Sequence, residues 1–151
     1  MRNIRFETMA DLTHEAELLA MMNALYAEDE PASEVDRGRF PMTIKTLIAE
    51  PARGRIVLFM EGLAVRGYAL LIPFWSNEFG GNLVFIDELF VKPEFRNQGI
   101  GRAFIEFILR QHPFEAVAAV LEVSPSNKRA RRLYESIGFR LRRNRTFTLR
   151  F

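Results

Sequence analysis

The chain has no cysteine, two histidines and one tryptophan among its 151 residues. Without cysteine there is no thiol nucleophile, no thiolate-bound zinc and no disulfide framework, and nothing points to an oxidising compartment. His14 and His112 lack metal-ligand spacing to each other, so no metal is expected. Long apolar runs are absent too. The stretch near the start is broken by Glu7, Asp11, His14, Glu15 and Glu17. No run approaches the ~18 residues of a membrane span, so neither a signal peptide nor a membrane helix is expected, and the expected location is cytoplasmic. There is no internal repeat and no low-complexity segment.

What is present is the mix of one soluble domain spanning 1–151, with 48% hydrophobic and 26% charged residues. A chain of this size buries enough surface to need no disulfide or metal. The net charge of +2 conceals an asymmetry: residues 1–95 hold 9 Lys/Arg against 15 Asp/Glu, whereas residues 96–151 hold 12 against 4. The basic half would suit nucleic acid, a membrane surface or a polyphosphate ligand, and charge alone does not choose among them.

Periodicity predicts a strand at Ile4–Glu7 and a helix over Leu12–Tyr26, whose stripe places Met21 and Met22 in the core. An acid-rich loop, Glu28 to Gly38, leads to a second short helix ending before Pro51. Arg55–Met60 and Val65–Pro73 read as strands meeting at Glu61-Gly62, and Asn82–Val91, the most apolar strand, as a central one. A helix over Gly99–Gln111, a buried strand over Val117–Val123, a helix over Ser126–Ile137 and a terminal strand or hairpin arm over Arg140–Phe151 complete the order. The order β-α-α-β-β-β-α-β-α-β describes an α/β fold with a mixed sheet, parallel where a helix joins Val91 to Val117.

Gly99 and Gly101 follow the strongest strand and open a helix, in the string Arg96-Asn97-Gln98-Gly99-Ile100-Gly101-Arg102. Glycine lets a ligand approach the backbone, and the free amides of a helix start form an anion site. Neither a Rossmann fingerprint nor a Walker loop is present: Phe104 stands at the third glycine position and no Gly-Lys-Ser/Thr follows. On these residues alone an ordinary strand-to-helix turn is an equal reading. A second string, Leu121-Glu122-Val123 through Ser126-Asn127 to Leu133-Tyr134 and Gly138-Phe139, adds a strand end, an Asn at a helix start and a Leu-Tyr pair two turns later.

Together, in this order, the two strings resemble the GCN5-related N-acetyltransferase (GNAT) superfamily, from about Ile4 to Phe139. The resemblance implies a mostly antiparallel central sheet with a splayed parallel pair, flanked by about four helices, and acetyl-coenzyme A as acyl donor. It implies that Arg96, Asn97, Gly99, Gly101 and the amides from Gln98 through Ile100 to Arg102 hold the diphosphate. The backbone of Leu89, Phe90 and Val91 would pair with the pantetheine arm, and Asn127 would bond it or help open the sheet. The superfamily has glycine where this chain has Asn97, a departure that Asn's tolerance of left-handed backbone softens.

Acetyl transfer to a lysine-like amine with a pKa of ~10.4 requires deprotonation, which costs about 4.6 kcal/mol at pH 7. A base is therefore useful, and a tyrosine, protonated at pH 7, can serve the departing thiolate as acid. The resemblance assigns the acid role to Tyr134. Asp87, Glu88 and Glu122 are the candidate bases, directly or through water: Asp87 and Glu88 match the acids of polyamine and aminoglycoside acetyltransferases, and Glu122 that of ribosomal-protein amino-terminal acetyltransferases. The bland alternative pairs all three with nearby arginines. Glu28, Asp29 and Glu30, with Trp75, are candidates for binding a small cationic amine. The rival readings are a protein amino-terminal or lysine acetyltransferase, an acyl-coenzyme A sensor and an RNA-binding module. Nucleic acid is disfavoured because Phe147, Leu149 and Phe151 read as buried strand residues, and sheet edges are compatible with a homodimer.

Overall fold

The structure, a computed structural model, describes residues 3–28 and 34–151. In chain order it contains β1 (Arg5–Thr8), α1 (Glu15–Glu28), α2 (Phe40–Ala49), β2 (Arg55–Glu61), β3 (Ala64–Ser76), β4 (Gly81–Val91), α3 (Ile100–Gln111), β5 (Ala118–Leu121) and α4 (Lys128–Ile137). The strands lie in one sheet in sequence order; β1 to β4 pair antiparallel and β4 pairs parallel with β5. This is the expected mixed sheet with four flanking helices. Among the described residues no helix is long and apolar enough to cross a membrane.

Alternation along β2 builds two cores. Ile56, Leu58 and Met60 face α1 and α2, where Leu18, Met21, Met22, Phe40, Ile44 and Leu47 are buried against them. Val57 and Phe59 face α3, against Ile100, Phe104, Ile105 and Ile108. A strand covered on both faces has no polar side to spare, which is why residues 56–60 are all apolar.

Two irregularities set the shape of β4. Leu70 is paired with Glu88 but Leu71 with Ile86, so Asp87 is an extra residue, a β-bulge. Val84 and Ile86 pack into the α3-side core, whereas after the bulge Glu88 and Phe90 turn to the α1 side. Nearby, Gly67 lies where β3 meets the end of β4, and a Cβ there would stand 2.3 Å from the Phe90 carbonyl oxygen.

Two expectations are corrected at the C-terminal side. The strand expected over Val117–Val123 is confined to Ala118–Leu121 and is half-buried throughout. Residues 140–151 form no strand, and Phe147, Leu149 and Phe151 are exposed rather than buried. Alternation marks residues suited to a strand, but a strand also needs an edge to pair with, and residues 140–151 are paired with none among the described residues.

Candidate active site

The β4–β5 pairing ends at Ile86↔Leu121, while β4 stays paired with β3 as far as Val91. Beyond Ile86 the two parallel strands separate, and one edge of residues 87–91 has no strand partner among the described residues. The opening is a cleft of about 1110 Å³. Its walls are Tyr26 and Glu28 of α1, the end of β4, the start of α3, residues 121–127 and Tyr134 of α4.

The start of α3 faces this cleft. Gly99 caps the helix with φ 78°, and no side chain caps its amides, so the first N–H groups lack intrahelical partners and carry the positive end of the helix dipole. Asn97 adopts φ 63°, the left-handed conformation for which glycine would be the easier choice. At Gly101 a Cβ would meet only Leu133 Cδ2, at 3.9 Å. The protein's own packing therefore does not demand glycine there, and the open space lies against the cleft. A backbone cradle of this kind, with Arg102 and Arg129 also in the lining, fits a diphosphate.

Arg96 is more constrained than its sequence suggests. Its Nε donates to the Val91 carbonyl at 2.8 Å, and its Nη2 donates to both carboxylate oxygens of Glu28, at 2.9 and 2.8 Å. The guanidinium also lies 5.3 Å from the Phe90 ring centre. Gln98 is exposed, with its side chain donating to the Glu94 carbonyl. Ile100 is buried in the α3-side core, so only its backbone is offered to the cleft.

The three candidate bases separate by their surroundings. Glu88 is buried, accepting hydrogen bonds from Tyr26 Oη at 2.8 Å and Tyr68 Oη at 2.7 Å. Burial raises its pKa, and the two tyrosine bonds oppose that rise. Both tyrosines are themselves pushed up, first by burial and then by the Glu88 charge, so they remain donors. Asp87, on the bulge, reaches water through the cleft, yet the surrounding protein raises its pKa and the Glu122 charge raises it further. Neither Asp87 nor Glu122 has a hydrogen bond or arginine partner among the described residues, which separates them from the ordinary ion-paired carboxylate.

Tyr134 projects from α4 into the same cleft, half-buried, with its ring 6.0 Å from that of Phe139. Burial raises its pKa, and its hydroxyl has no hydrogen-bond partner among the described residues. Asn127 caps α4, its Oδ1 accepting from the Ala130 amide at 3.1 Å. The side chain thus fixes where α4 begins, and with it the far wall of the splay.

Not every candidate arrives here. Trp75 pairs with Asn82, five residues and about 16 Å of strand before Asp87. It lies in a separate shallow groove with Phe74, His112 and Phe114. Asp29 and Glu30 lie outside the described residues. Glu28 reaches the cleft, but as the partner of Arg96. Conversely, sequence reasoning singles out neither Tyr26, at the end of an amphipathic helix, nor Tyr68, inside an apolar strand. The available signal was Glu88, one of two adjacent acids in a strand otherwise too apolar to bury a carboxylate without donors.

A model of the acetyltransferase (GNAT) family matches residues 18–139. The chain belongs to this family. Among curated relatives, it is 34% identical over 79 residues to a thialysine N-epsilon-acetyltransferase of Bos taurus, covering 52% of this chain and 46% of that protein. It is 43% identical over 58 residues to a [ribosomal protein bS18]-alanine N-acetyltransferase of Escherichia coli K12, covering 36% and 39%. The matched stretch spans less than half the length of either relative. The fold is also that of an aminoglycoside N-acetyltransferase, AAC(6')-Iy, solved in complex with CoA, with TM-score 0.78, 16% identity and coverage of 99% and 96%.

Proposed function

We propose that this GNAT-family protein is an acetyl-coenzyme A dependent N-acetyltransferase acting on a primary amine, with a small cationic amine as acceptor. The observation that carries the reading is the open edge of β4, which leads from two unpaired carboxylates to the uncapped start of α3. An extended, amide-bearing arm can pair with residues 89–91 as an added strand while its diphosphate meets the amides around Gly99 and Gly101. That places the acyl group near Asp87, Glu122 and Tyr134.

In this reading Asp87 accepts a proton from the acceptor ammonium, directly or through one water. The neutral nitrogen then attacks the thioester carbonyl carbon, forming the C–N bond as the C–S bond breaks. Tyr134 supplies its proton to the sulfur, the attacking nitrogen sheds its second proton to leave the neutral amide, and that proton, passed through water, restores the Tyr134 phenol while Asp87 releases its own to solvent. Glu88 is less suited to proton transfer because both carboxylate oxygens already accept from tyrosines; its part is to hold Tyr26 against the end of β4. The negative charge of Asp87, Glu88 and Glu122 at one end of the cleft favours a cationic acceptor, and the arginines and helix start at the other end favour an anionic donor.

The relative that modifies a ribosomal protein, together with unpaired Glu122 in the cleft wall, supports a second reading with a protein amino terminus as acceptor. Thiol release from acetyl-coenzyme A tests both, since a protein without cysteine adds no thiol background. Release driven by polyamines, aminoglycosides or lysine-like amines supports the first reading, and release driven only by peptides with a free amino terminus, confirmed by mass spectrometry, supports the second. Cofactor binding without release for any amine would replace both with the sensor role.

A further inference from the structure

Glu88 is the one buried charged side chain among the described residues, 8% exposed, and no cation pairs with it there. Its two carboxylate oxygens are met instead by phenols, Tyr26 at 2.8 Å and Tyr68 at 2.7 Å. A carboxylate buried without a cation depends on such donors, because losing one leaves a lone pair unsatisfied. Burial and the Glu88 charge both push the two phenols up, so their protons stay on oxygen and are given to Glu88.

The two tyrosines differ in what is left over. Tyr68 is fully buried and serves Glu88 alone. Tyr26 lines the cleft together with Asp87 and Glu88. A phenol has one proton and can also accept. With its proton committed to Glu88, Tyr26 has only lone pairs to offer a molecule in the cleft. Tyr134, whose hydroxyl has no partner among the described residues, has the opposite character. The cleft therefore holds two phenols of opposite polarity, a donor on α4 and an acceptor on α1. Tyr26 is also held still: its ring lies 5.1 Å from that of Phe40, and Glu28, two residues on, is fixed to Arg96. An acceptor set in place this way loses little freedom when a donor arrives.

We propose that Tyr26 determines acceptor specificity: its phenol oxygen, polarised by Glu88, takes an N–H of the incoming amine and selects primary over secondary amines. This rests on the acetyl-transfer reading above. A primary amine that has given one proton to Asp87 keeps two N–H groups and a lone pair. The lone pair goes to the thioester carbon, and the two N–H groups meet the Asp87 carboxyl and the Tyr26 oxygen. A secondary amine has one N–H, so one of these acceptors is left facing carbon.

The probes are 1,4-diaminobutane and its N,N′-dimethyl form, compared by thiol release from acetyl-coenzyme A. The unaltered chain should favour the primary amine in kcat/KM. Tyr26→Phe keeps the ring and removes only the oxygen, and it should cut that preference about tenfold, the scale of one hydrogen bond to a charged group. The loss should fall on diaminobutane, with coenzyme A affinity by calorimetry unchanged. Glu88→Gln keeps the volume and removes the charge that holds the phenol proton; it should lose the same preference, and it decides the matter if Tyr26→Phe does not fold. A folded variant that retains the full preference would overturn the proposal, since the preference would then be steric, and so would an unaltered chain with no preference. Binding separates this proposal from the reading beneath it. If neither amine drives thiol release, acetyl transfer to small amines fails, and calorimetry of diaminobutane with the coenzyme A complex tests Tyr26 alone. Binding about tenfold weaker in Tyr26→Phe supports its contact with the amine; equal binding, or none in either chain, removes it.

Discussion

Asp87, Glu122 and Tyr134 are polar side chains that the protein places in its cleft and leaves without hydrogen-bond partners among the described residues. A half-buried phenol with no partner is a donor in waiting. Tyr134→Phe is expected to lower kcat about 100-fold or more, within the span of general-acid effects, while the affinity for coenzyme A measured by calorimetry stays close to that of the parent. Unchanged turnover would remove Tyr134 from the acid role. Asp87 allows a signed test. A base works only when deprotonated, and Asp87 holds its proton above the ordinary carboxylate range because of burial and the Glu122 charge. Activity should therefore fall as pH drops through that raised value. Glu122→Gln removes the negative neighbour, so the acid limb of kcat/KM should move to lower pH; a stationary limb would show that the two carboxylates are not coupled. Sequence reasoning could name these three residues. It could not separate Asp87 from Glu88 as the base, because partnership with tyrosine or with nothing is a matter of tertiary neighbours.

At the scale of elements, the working feature is the end of β4. An unbroken strand would put Ile86, Glu88 and Phe90 on one face; the bulge at Asp87 divides them between the two and turns both acids toward the cleft. Strand alternation alone would send adjacent acids to opposite faces, and only the pairing register shows the bulge that keeps both at the cleft. Gly67 belongs to the same construction. Gly67→Ala would force a Cβ against the Phe90 carbonyl, and the melting temperature should fall by an amount equivalent to about 2 kcal/mol, the scale of overpacking in a filled interior. Gly101 behaves oppositely, since its Cβ position is open. Gly101→Asp should leave the thermal midpoint of the free protein nearly unchanged and abolish coenzyme A binding by placing a carboxylate at the uncapped amides. Normal binding in this variant would remove the phosphate turn from the proposal.

Across the whole molecule, the acidic and basic halves of the sequence meet at one cleft, lined by Asp87 and Glu88 from the first and by Arg96, Arg102 and Arg129 from the second. Binding of the polyanionic donor should weaken as ionic strength rises, and titrations at several salt concentrations would measure it. A salt-independent affinity would mean that the amides and apolar contacts dominate. Strand order and helix count were legible because each element carries a clear period. The fate of residues 140–151 was not, since alternation marks residues suited to a strand without supplying an edge for them to pair with. The contact between Arg96 and Glu28 joins the last residue of α1 to the turn that precedes α3. Glu28 is in effect a tethered anion already seated on the arginine, at a local concentration that a dissolved competitor must exceed. On the proposed function, a phosphate that took the Nη2 face of Arg96 would displace Glu28 and release the last turn of the helix that carries Tyr26. On that proposal the two substrates would have a preferred sequence of arrival, the anionic donor loosening the wall before the amine meets it.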